Sequence, residues 1–461
     1  MSRVSFLEVI DRTFQGKYAA QADFEMKIFV PALRKVIEKY QITYDPQQLI
    51  PDDDDLADRI FQAGVEFYEE VGTYCVETER IIAFSEAEIR RTLAAAKDKV
   101  AFGEGRDRRW LKNRRPESER PPFCFLGAVG APVSSDEIFV NLIQAFSECA
   151  LTDSITMPSL TQVGGRTVRP NSPLEVMAAI RSARLFREGT ARAGRPGVAL
   201  MNAIACASSD VAKIAGSHYL RSSDGWMIGS TAELKVETPR FNEIAYVRDV
   251  GGRILAETTP LLGGFCGGPE GVAVASVAYH LHGLLVLQGD CQLHCPLHLK
   301  FVCATAPPVL WALSAGVQAI TRNSHSPIMV SPFLAAGAME EMCFLEAAAA
   351  VTAIVVSGSN LEAQVTCGGA TADLTGPLTA QFSAEVAHAV AGMTRREANA
   401  IVTRLVDHFQ HKLGEAPGGK RYQEAYDVKT GRPLPETLQV YEKMRQTIAG
   451  MGIPLPNFGD V

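Results

Sequence analysis

Three carboxylates are candidates for chemistry because of where they stand in the chain. Asp210 comes shortly after an apolar run, and Glu233 follows the segment WMIGS at residues 226–230. Glu270 ends the run GGFCGGPE at residues 263–270, where glycines permit positive φ and a close approach of backbone to a ligand. The run matches no phosphate-binding fingerprint. Surface salt bridges for the carboxylates and a plain turn for the loop are the competing interpretations.

A second group of candidates is the quartet Cys291, His294, Cys295 and His298, whose thiolate and imidazole groups are ligands that zinc favours. On a helix all four would share one face, whereas on a strand the cysteines would face one side and the histidines the other. Pro296 argues against a continuous helix. We therefore predict no resident metal and keep a zinc site as an alternative. His298 by itself could bind substrate or act as an acid–base group.

The apolar pattern describes the elements that must position these residues. From residue 123 onward, short apolar runs alternate with helical segments, which predicts parallel strands joined by crossover helices. The length from about residue 120 to 400 fits a closed TIM (β/α)8 barrel, with an open doubly wound sheet as the alternative. The predicted strands are residues 123–129, 155–158, 198–203, 244–247, 284–288 and 328–330.

Helical patterns flank this central part. We predict a helical extension packed on the barrel at residues 1–120, the barrel at 121–400 and C-terminal helices at 401–461. Inside the barrel, Ser172, Pro173 and Glu175 together predict the start of a helix, and Gly189 its end.

Composition excludes several classes of function. The net charge of −7 argues against nucleic-acid binding, which depends on cations that displace phosphate counterions. The start MSRVSFLEVIDRTF lacks the basic and apolar regions of a secretory signal, so the 10 cysteines are expected as free thiols. No uninterrupted apolar stretch of about 18 residues is available to span a bilayer. We expect a soluble, cytoplasmic protein.

Short motifs in a fixed order run along nearly the whole chain. They are IPDDDDL (50–56), FQAG (61–64), GTYC (72–75), ETERI (77–81), GEGRD (103–107), SPLEV (172–176), AGRPG (193–197), ELK (233–235), GG (263–264 and 267–268), PLHL (296–299), EMCFLEA (341–347), APGGK (416–420), YDVKT (426–430) and QVY (439–441). Together they resemble the monomethylamine:corrinoid methyltransferase family. Their shared order and spacing make the resemblance specific.

The resemblance implies a TIM barrel with helical extensions. It also implies that the protein moves a methyl group from methylamine to the cob(I)alamin-type cofactor of a small, separate corrinoid protein. In that case no cofactor is bound tightly to this chain. The oligomeric state usual in the family further implies a symmetric homo-oligomer.

The resemblance also assigns site residues. Archaeal members of the family carry pyrrolysine, which adds the amine to its imine and presents the methyl group to cobalt. An ungapped count from residues 193–197 puts Asp210 at that position, and a slip of one or two residues would put a serine there. The two pocket glutamates of the family fall on Glu233 and Glu270, and a family glutamine falls on Ser331.

An aspartate cannot form the amine adduct, so this replacement predicts pyrrolysine-independent chemistry. Our hypothesis is that Asp210, Glu233 and Glu270 converge on an N-methylated ammonium, quaternary or otherwise cationic. Three carboxylates in a partly dry pocket would repel one another without such a cation. Trp226 or Phe265 would add a cation–π contact to the bound ammonium.

Other interpretations remain open at the level of sequence. If the donor were a protonated amine, an acid would have to keep the leaving nitrogen protonated, and Glu270 or His298 is the candidate. A different class of protein would be a non-catalytic binder of a cationic metabolite on the same scaffold. A third alternative is a zinc-assisted methyltransferase that uses Cys291, His294 and Cys295.

Overall fold

A barrel of eight parallel strands forms the centre of the computed structural model, which describes residues 3–201, 208–363 and 371–455. The strands are β1 (Cys124–Gly127), β2 (Ser154–Thr156), β3 (Ala199–Leu200), β4 (Gly225–Gly229), β5 (Arg253–Thr258), β6 (Cys291–His294), β7 (Ile328–Val330) and β8 (Asn360–Ala363). Their order around the barrel is β3-β2-β1-β8-β7-β6-β5-β4. The prediction of a TIM barrel with helical extensions is confirmed.

A helix follows each barrel strand along the chain. These helices are α1 (Asp136–Glu148), α2 (Pro173–Arg192), α3 (Asp210–Ser217), α4 (Thr238–Asp249), α5 (Pro269–Leu285), α6 (Pro307–Asn323), α7 (Glu341–Val356) and α8 (Pro377–Ala389). No helix among the described residues is long and apolar enough to cross a membrane.

Two of the predicted strands are wrong. Residues 244–247 lie within α4, where Phe241, Ile244 and Val247 are buried at the three-residue spacing of one helix face. Residues 284–288 begin at the end of α5 and continue into the turn before β6. A short apolar run fits a buried helix as well as a strand, so its length alone cannot separate the two. Of the predicted strand at 198–203, residues 202 and 203 lie outside the described part of the chain.

The start of α2 is confirmed, but its predicted end is wrong. Ser172 is the N-cap and its hydroxyl accepts a hydrogen bond from the Glu175 amide. The helix runs past Gly189 to Arg192. A Cβ on Gly189 would lie 2.7 Å from side-chain atoms of Ile143, so this glycine permits close packing of α2 on α1.

The amino end of the barrel is closed by a hairpin of the strands Lys99–Phe102 and Arg109–Lys112. Its side chains Val100, Phe102 and Leu111 join the apolar cluster that fills the lower barrel interior. The turn of the hairpin bonds to backbone just before β3 and β4. The carboxyl ends of the strands are therefore the open end.

The segments outside the barrel are mostly helical. Before the barrel lie the helices Phe6–Gln15, Gln21–Asp23, Phe24–Phe29 (a π-helix), Val30–Lys39, Asp54–Val71 and Glu86–Ala94, the 3-10 turn Gly105–Asp107, and the short strands Lys17–Tyr18, Thr73–Cys75 and Arg80–Ile82. After it lie Arg395–Asp407, the 3-10 segment Gln410–Glu415, Tyr422–Ala425 and Pro435–Gly450. Further short strands in the barrel loops are Pro132–Val133, Ser159–Leu160, Gln162–Val163, Arg166–Thr167, Lys235–Val236, Leu261–Leu262 and Leu297–His298.

The barrel has a seam between β3 and β4, which are the two ends of the strand order in the described chain. Asp224 bridges this seam at the amino end of β4. Its carboxylate accepts hydrogen bonds from the Leu200 amide at 3.0 Å and the Arg221 amide at 2.8 Å. Arg187 of α2 completes the arrangement as an ion pair with the buried carboxylate. A side chain thus joins the two strands where no backbone ladder does among the described residues.

We predict that Asp224→Asn lowers the free energy of unfolding by about 3 kcal/mol, because breaking a buried ion pair leaves Arg187 uncompensated. Denaturant titration of the purified protein measures this. Asp136→Asn is the matched control, since Asp136 pairs with Arg181 at a solvent-exposed site and should cost no more than about 1 kcal/mol. Equal losses in the two variants would contradict the role given to Asp224.

Candidate active site

Two glutamates share the interior of the barrel near the carboxyl ends of their strands. Glu257 is the penultimate residue of β5 and Glu362 the penultimate residue of β8. The neighbours Leu361 and Ala363 belong to the apolar layer outside the barrel, so the strand alternation turns Glu362 inward. Glu362 is fully buried, whereas Glu257 remains partly exposed.

The two carboxyl groups interact electrostatically. Burial, followed by repulsion from Glu257, raises the pKa of Glu362 to about 8, and the Ser331 hydroxyl opposes the shift. Burial also raises the pKa of Glu257. Within the described chain, neither oxygen of Glu362 has a hydrogen-bond partner of normal geometry. Such a group is costly to bury unless a ligand satisfies it.

A charged network from two helices lies beside Glu257. The Lys213 amine of α3 lies 3.3 Å from a carboxylate oxygen of Glu243 on α4, and Arg240 of α4 contacts the same carboxylate. Lys213 and Arg240 both lower the pKa of Glu257 and so favour its ionised form. Cys295 lies just after β6. Its pKa is raised first by burial and then by the charges of Glu257 and Glu362.

The structure places Asp210 at the first position of α3, where one carboxylate oxygen accepts a hydrogen bond from Asn242 of α4 at 2.8 Å. The serines before it are also engaged. Ser208 and Ser209 both donate hydroxyl hydrogen bonds to Glu175, at 2.8 and 2.7 Å. These contacts tie the three side chains to the outer helices, and residues 202–207 lie outside the described part of the chain.

The side chains of Glu233 and Glu270 both lie close to glycines of the glycine-rich loop. The carboxylate of Glu233 is 3.3 Å from the Lys235 amine, and burial raises its pKa while Lys235 opposes that shift. Glu270 accepts a hydrogen bond from the Tyr44 amide at 3.0 Å. The described contacts do not join either group to Asp210, so a shared pocket of these three carboxylates stays a prediction.

Phe265 and Glu270 line an apolar groove of about 650 Å³ between the glycine-rich loop and the helix Val30–Lys39. Met26 and Leu33 form part of the opposite wall. The groove is separate from the interior glutamates, neither of which lines it. Phe265 is thus placed beside Glu270, and its contact with a substrate stays a prediction.

The remaining predicted binding residues lie apart from one another. Trp226 faces the outer layer of the barrel, where its indole donates a hydrogen bond to the Ser217 hydroxyl at 3.1 Å. His298 accepts hydrogen bonds from the backbone of the following turn and packs on Phe301. Ser331, by contrast, is fully buried beside Glu362. Of these three, Ser331 is the residue that lies at the interior carboxyl pair.

The four side chains considered as zinc ligands point in different directions, because side chains on a strand alternate between its two faces. Cys291 and Cys295 point into the barrel cluster, whereas His294 points outward and bonds to the Thr258 hydroxyl at 2.9 Å. His298 lies beyond the strand. No group of three or more potential metal ligands is found in the described part of the chain. The geometry therefore gives the zinc alternative no support.

Sequence reasoning missed Glu257, Glu362 and Lys213. A signal for the two glutamates existed, because each is a single acidic residue inside a short apolar run, RILAET at 253–258 and NLEA at 360–363. In a barrel strand such a residue must face the interior or disturb the outer apolar layer. Neither run was among the predicted strands, so this signal was not recognised.

The fold and the site together define a class: a (β/α)8 barrel whose open, carboxyl end leads to buried carboxyl groups. In this fold the active site lies at that end. The comparisons with known proteins narrow the class. The family model described as monomethylamine methyltransferase MtmB matches residues 4–453. The chain belongs to the monomethylamine methyltransferase MtmB family.

Relatives match over almost their full length. The chain is 30% identical to the monomethylamine methyltransferase MtmB of Methanosarcina mazei over 458 residues, which cover 96% of this chain and 97% of that protein. It is 31% identical to MtmB1 of Methanosarcina acetivorans, with the same coverage. The crystal structure of Methanosarcina barkeri MtmB superimposes with a TM-score of 0.94 at 28% identity, covering 98% of this chain and 100% of that one. The resemblance inferred from the motifs is confirmed.

The pKa of Glu362 predicts how stability changes with pH. The folded protein holds this proton up to about pH 8, whereas an unfolded glutamate loses it near 4.5. Stability should therefore fall as pH rises between these values. We predict that Glu362→Gln matches the parent protein near pH 5 and exceeds it by about 4 kcal/mol at pH 9, as measured by denaturant unfolding at both pH values.

Glu175→Gln is the matched control with the opposite sign. Burial raises the pKa of Glu175, but hydrogen bonds from Ser209, Ser208 and Asn171 outweigh this and lower it overall. The variant should be less stable than the parent by about 2 kcal/mol at pH 7, and the gap should narrow as pH falls below the pKa of a free glutamate. If Glu362→Gln behaved like this control, Glu362 would be an ordinary ionised carboxylate.

Proposed function

We propose that this protein transfers a methyl group from a small N-methylated ammonium compound to the cobalt of a partner corrinoid protein. Membership of the family supports methyl transfer. The observation that carries the proposal of a cationic donor is Glu362, a buried carboxyl group beside Glu257 whose oxygens have no hydrogen-bond partner of normal geometry in the described chain. Two such groups repel each other when both are ionised, and a bound cation removes that repulsion.

The unpartnered oxygens favour a donor that carries an N–H bond. A carboxylate gains most from hydrogen-bond donors, and a charged N–H group provides a strong one. A quaternary ammonium provides none and would leave the oxygens of Glu362 unsatisfied. One of the related crystal structures, at 28% identity, is a hydroxylamine complex of MtmB, which fits a pocket for a small amine.

Glu362 has a proton to give at neutral pH, because its pKa is about 8. A neutral N-methylamine entering the interior would take this proton and become an ammonium held between Glu362 and Glu257. The C–N bond can then break with its electron pair passing to nitrogen, which leaves as a neutral amine. The corrinoid of the partner supplies the cobalt nucleophile that accepts the methyl group. Glu362 thus performs the task that the sequence assigned to Glu270 or His298.

The interior carboxyl groups can be reached from one end of the barrel. This chain needs no cofactor-binding site of its own, since the corrinoid belongs to the partner. The hairpin closes the amino end of the barrel, so access is from the carboxyl end. Glu257 is partly exposed there. The loop after β6 presents Leu299 and Val302, which are 54% and 62% exposed, as apolar surface for a partner.

We propose Glu257 and Glu362 as the site in place of the predicted group of three carboxylates. Asp210 is engaged with Asn242, and Glu233 with Lys235, whereas Glu362 keeps its oxygens free of described partners. Because the chemistry needs only a protonated amine and a nucleophile, we propose that it runs without pyrrolysine.

The test is methyl transfer to a reduced corrinoid protein, followed by the change in its visible spectrum. The donors are methylamine, dimethylamine, trimethylamine and tetramethylammonium. We expect transfer from one or more of the first three, and a loss of about 100-fold or more in Glu362→Gln, because the acid that protonates the nitrogen is removed.

The variant Asp210→Asn distinguishes a site at Asp210 from a site at Glu362. Full activity in Glu362→Gln together with loss in Asp210→Asn would place the chemistry at Asp210 and overturn the proposal. Transfer from tetramethylammonium alone would contradict the proton role of Glu362. Tight binding of the amines with no transfer to the corrinoid would indicate a non-catalytic binder.

A further inference from the structure

Lys213 and Arg240 carry more charge than their shared partner can balance. Both contact the carboxylate of Glu243, which is the single anion that bonds to them directly in the described chain. All three side chains are largely buried, with exposed fractions of 17%, 19% and 6%. Two cations with one anion leave one positive charge in a region where water screens it poorly.

Glu257 is placed to balance this charge. It pairs in register with Gly229 of β4, and a Cβ on Gly229 would lie only 3.1 Å from a carboxylate oxygen of Glu257. The missing side chain lets the carboxylate lie over the end of β4, on the side of the barrel seam. The helices that carry Lys213 and Arg240 follow the two strands at this seam.

No cation in the described part of the chain lowers the pKa of Glu362. The charged group that acts on Glu362 is Glu257, which raises its pKa beyond the effect of burial. Glu243, Lys213, Arg240 and an ionised Glu257 form a neutral set. The two interior carboxyl groups are therefore unequal before any ligand binds.

We propose that Lys213 is a positioning residue that keeps Glu257 ionised, so that the exchangeable proton of the pair stays on Glu362. Its use in catalysis rests on the proposed function, but the placement of the proton does not. The placement can therefore be tested without a methyl donor or a corrinoid protein.

The test follows the protonated-carboxyl band of the purified protein by infrared spectroscopy across a pH titration, in a Glu362→Gln background. Glu257 is then the interior glutamate that remains. We expect its protonation midpoint to rise by about one pH unit or more when Lys213→Met is added, since a neighbouring cation is lost. Lys213→Arg in the same background keeps the charge and should restore the midpoint.

The result that would overturn the proposal is an unchanged midpoint in the Lys213→Met protein, provided its melting temperature shows a folded chain. A midpoint that shifts equally in Lys213→Met and Lys213→Arg would also overturn it, because packing rather than charge would then be the cause. Methyl transfer measured separately shows whether the proposed function itself fails. If the parent protein were inactive but the midpoints were as expected, the proposed function would be contradicted and the placement of the proton on Glu362 would stand.

Discussion

Two carboxyl groups in the dry interior of one barrel set the constraint on which the site depends. Burial raises the pKa of both Glu257 and Glu362, and repulsion from Glu257 raises the pKa of Glu362 further. Among the described residues, Lys213 and Arg240 lower the pKa of Glu257, and no cation does the same for Glu362. One glutamate is thereby favoured as the anion and the other as the acid, which is the pattern by which proteins assign different roles to chemically identical groups.

The same region of the molecule carries a structural weakness. The ends of the strand order, β3 and β4, meet at a seam that Asp224 bridges through the Leu200 amide and Arg187. The charged network of Lys213 and Glu243 lies on the helices that follow these two strands. Asp224 thus joins β3 and β4 where the described residues form no backbone ladder, and a second buried ionic cluster links the helices that follow these strands.

Family membership and the identity of the donor are separate questions for this chain. The match to the MtmB family covers nearly every residue, because the barrel, its helical extensions and the loop motifs are shared. In the function that we propose, donor choice depends on a few side chains inside the barrel. At about 30% identity those side chains can differ while the scaffold stays the same.

The sequence by itself determined the fold and the family. The alternation of strands and helices predicted a parallel sheet with crossover helices, and the ordered motifs predicted the family and with it the closed barrel, since both signals are local patterns. Two strands were mistaken because short buried runs, such as residues 244–247, have the same composition in helices and strands. The site needed the tertiary structure. Glu257 and Glu362 are 105 residues apart and meet only because β5 and β8 face one interior. The pKa of Glu257 is lowered by Lys213 and Arg240, which lie on helices whose positions no local pattern specifies.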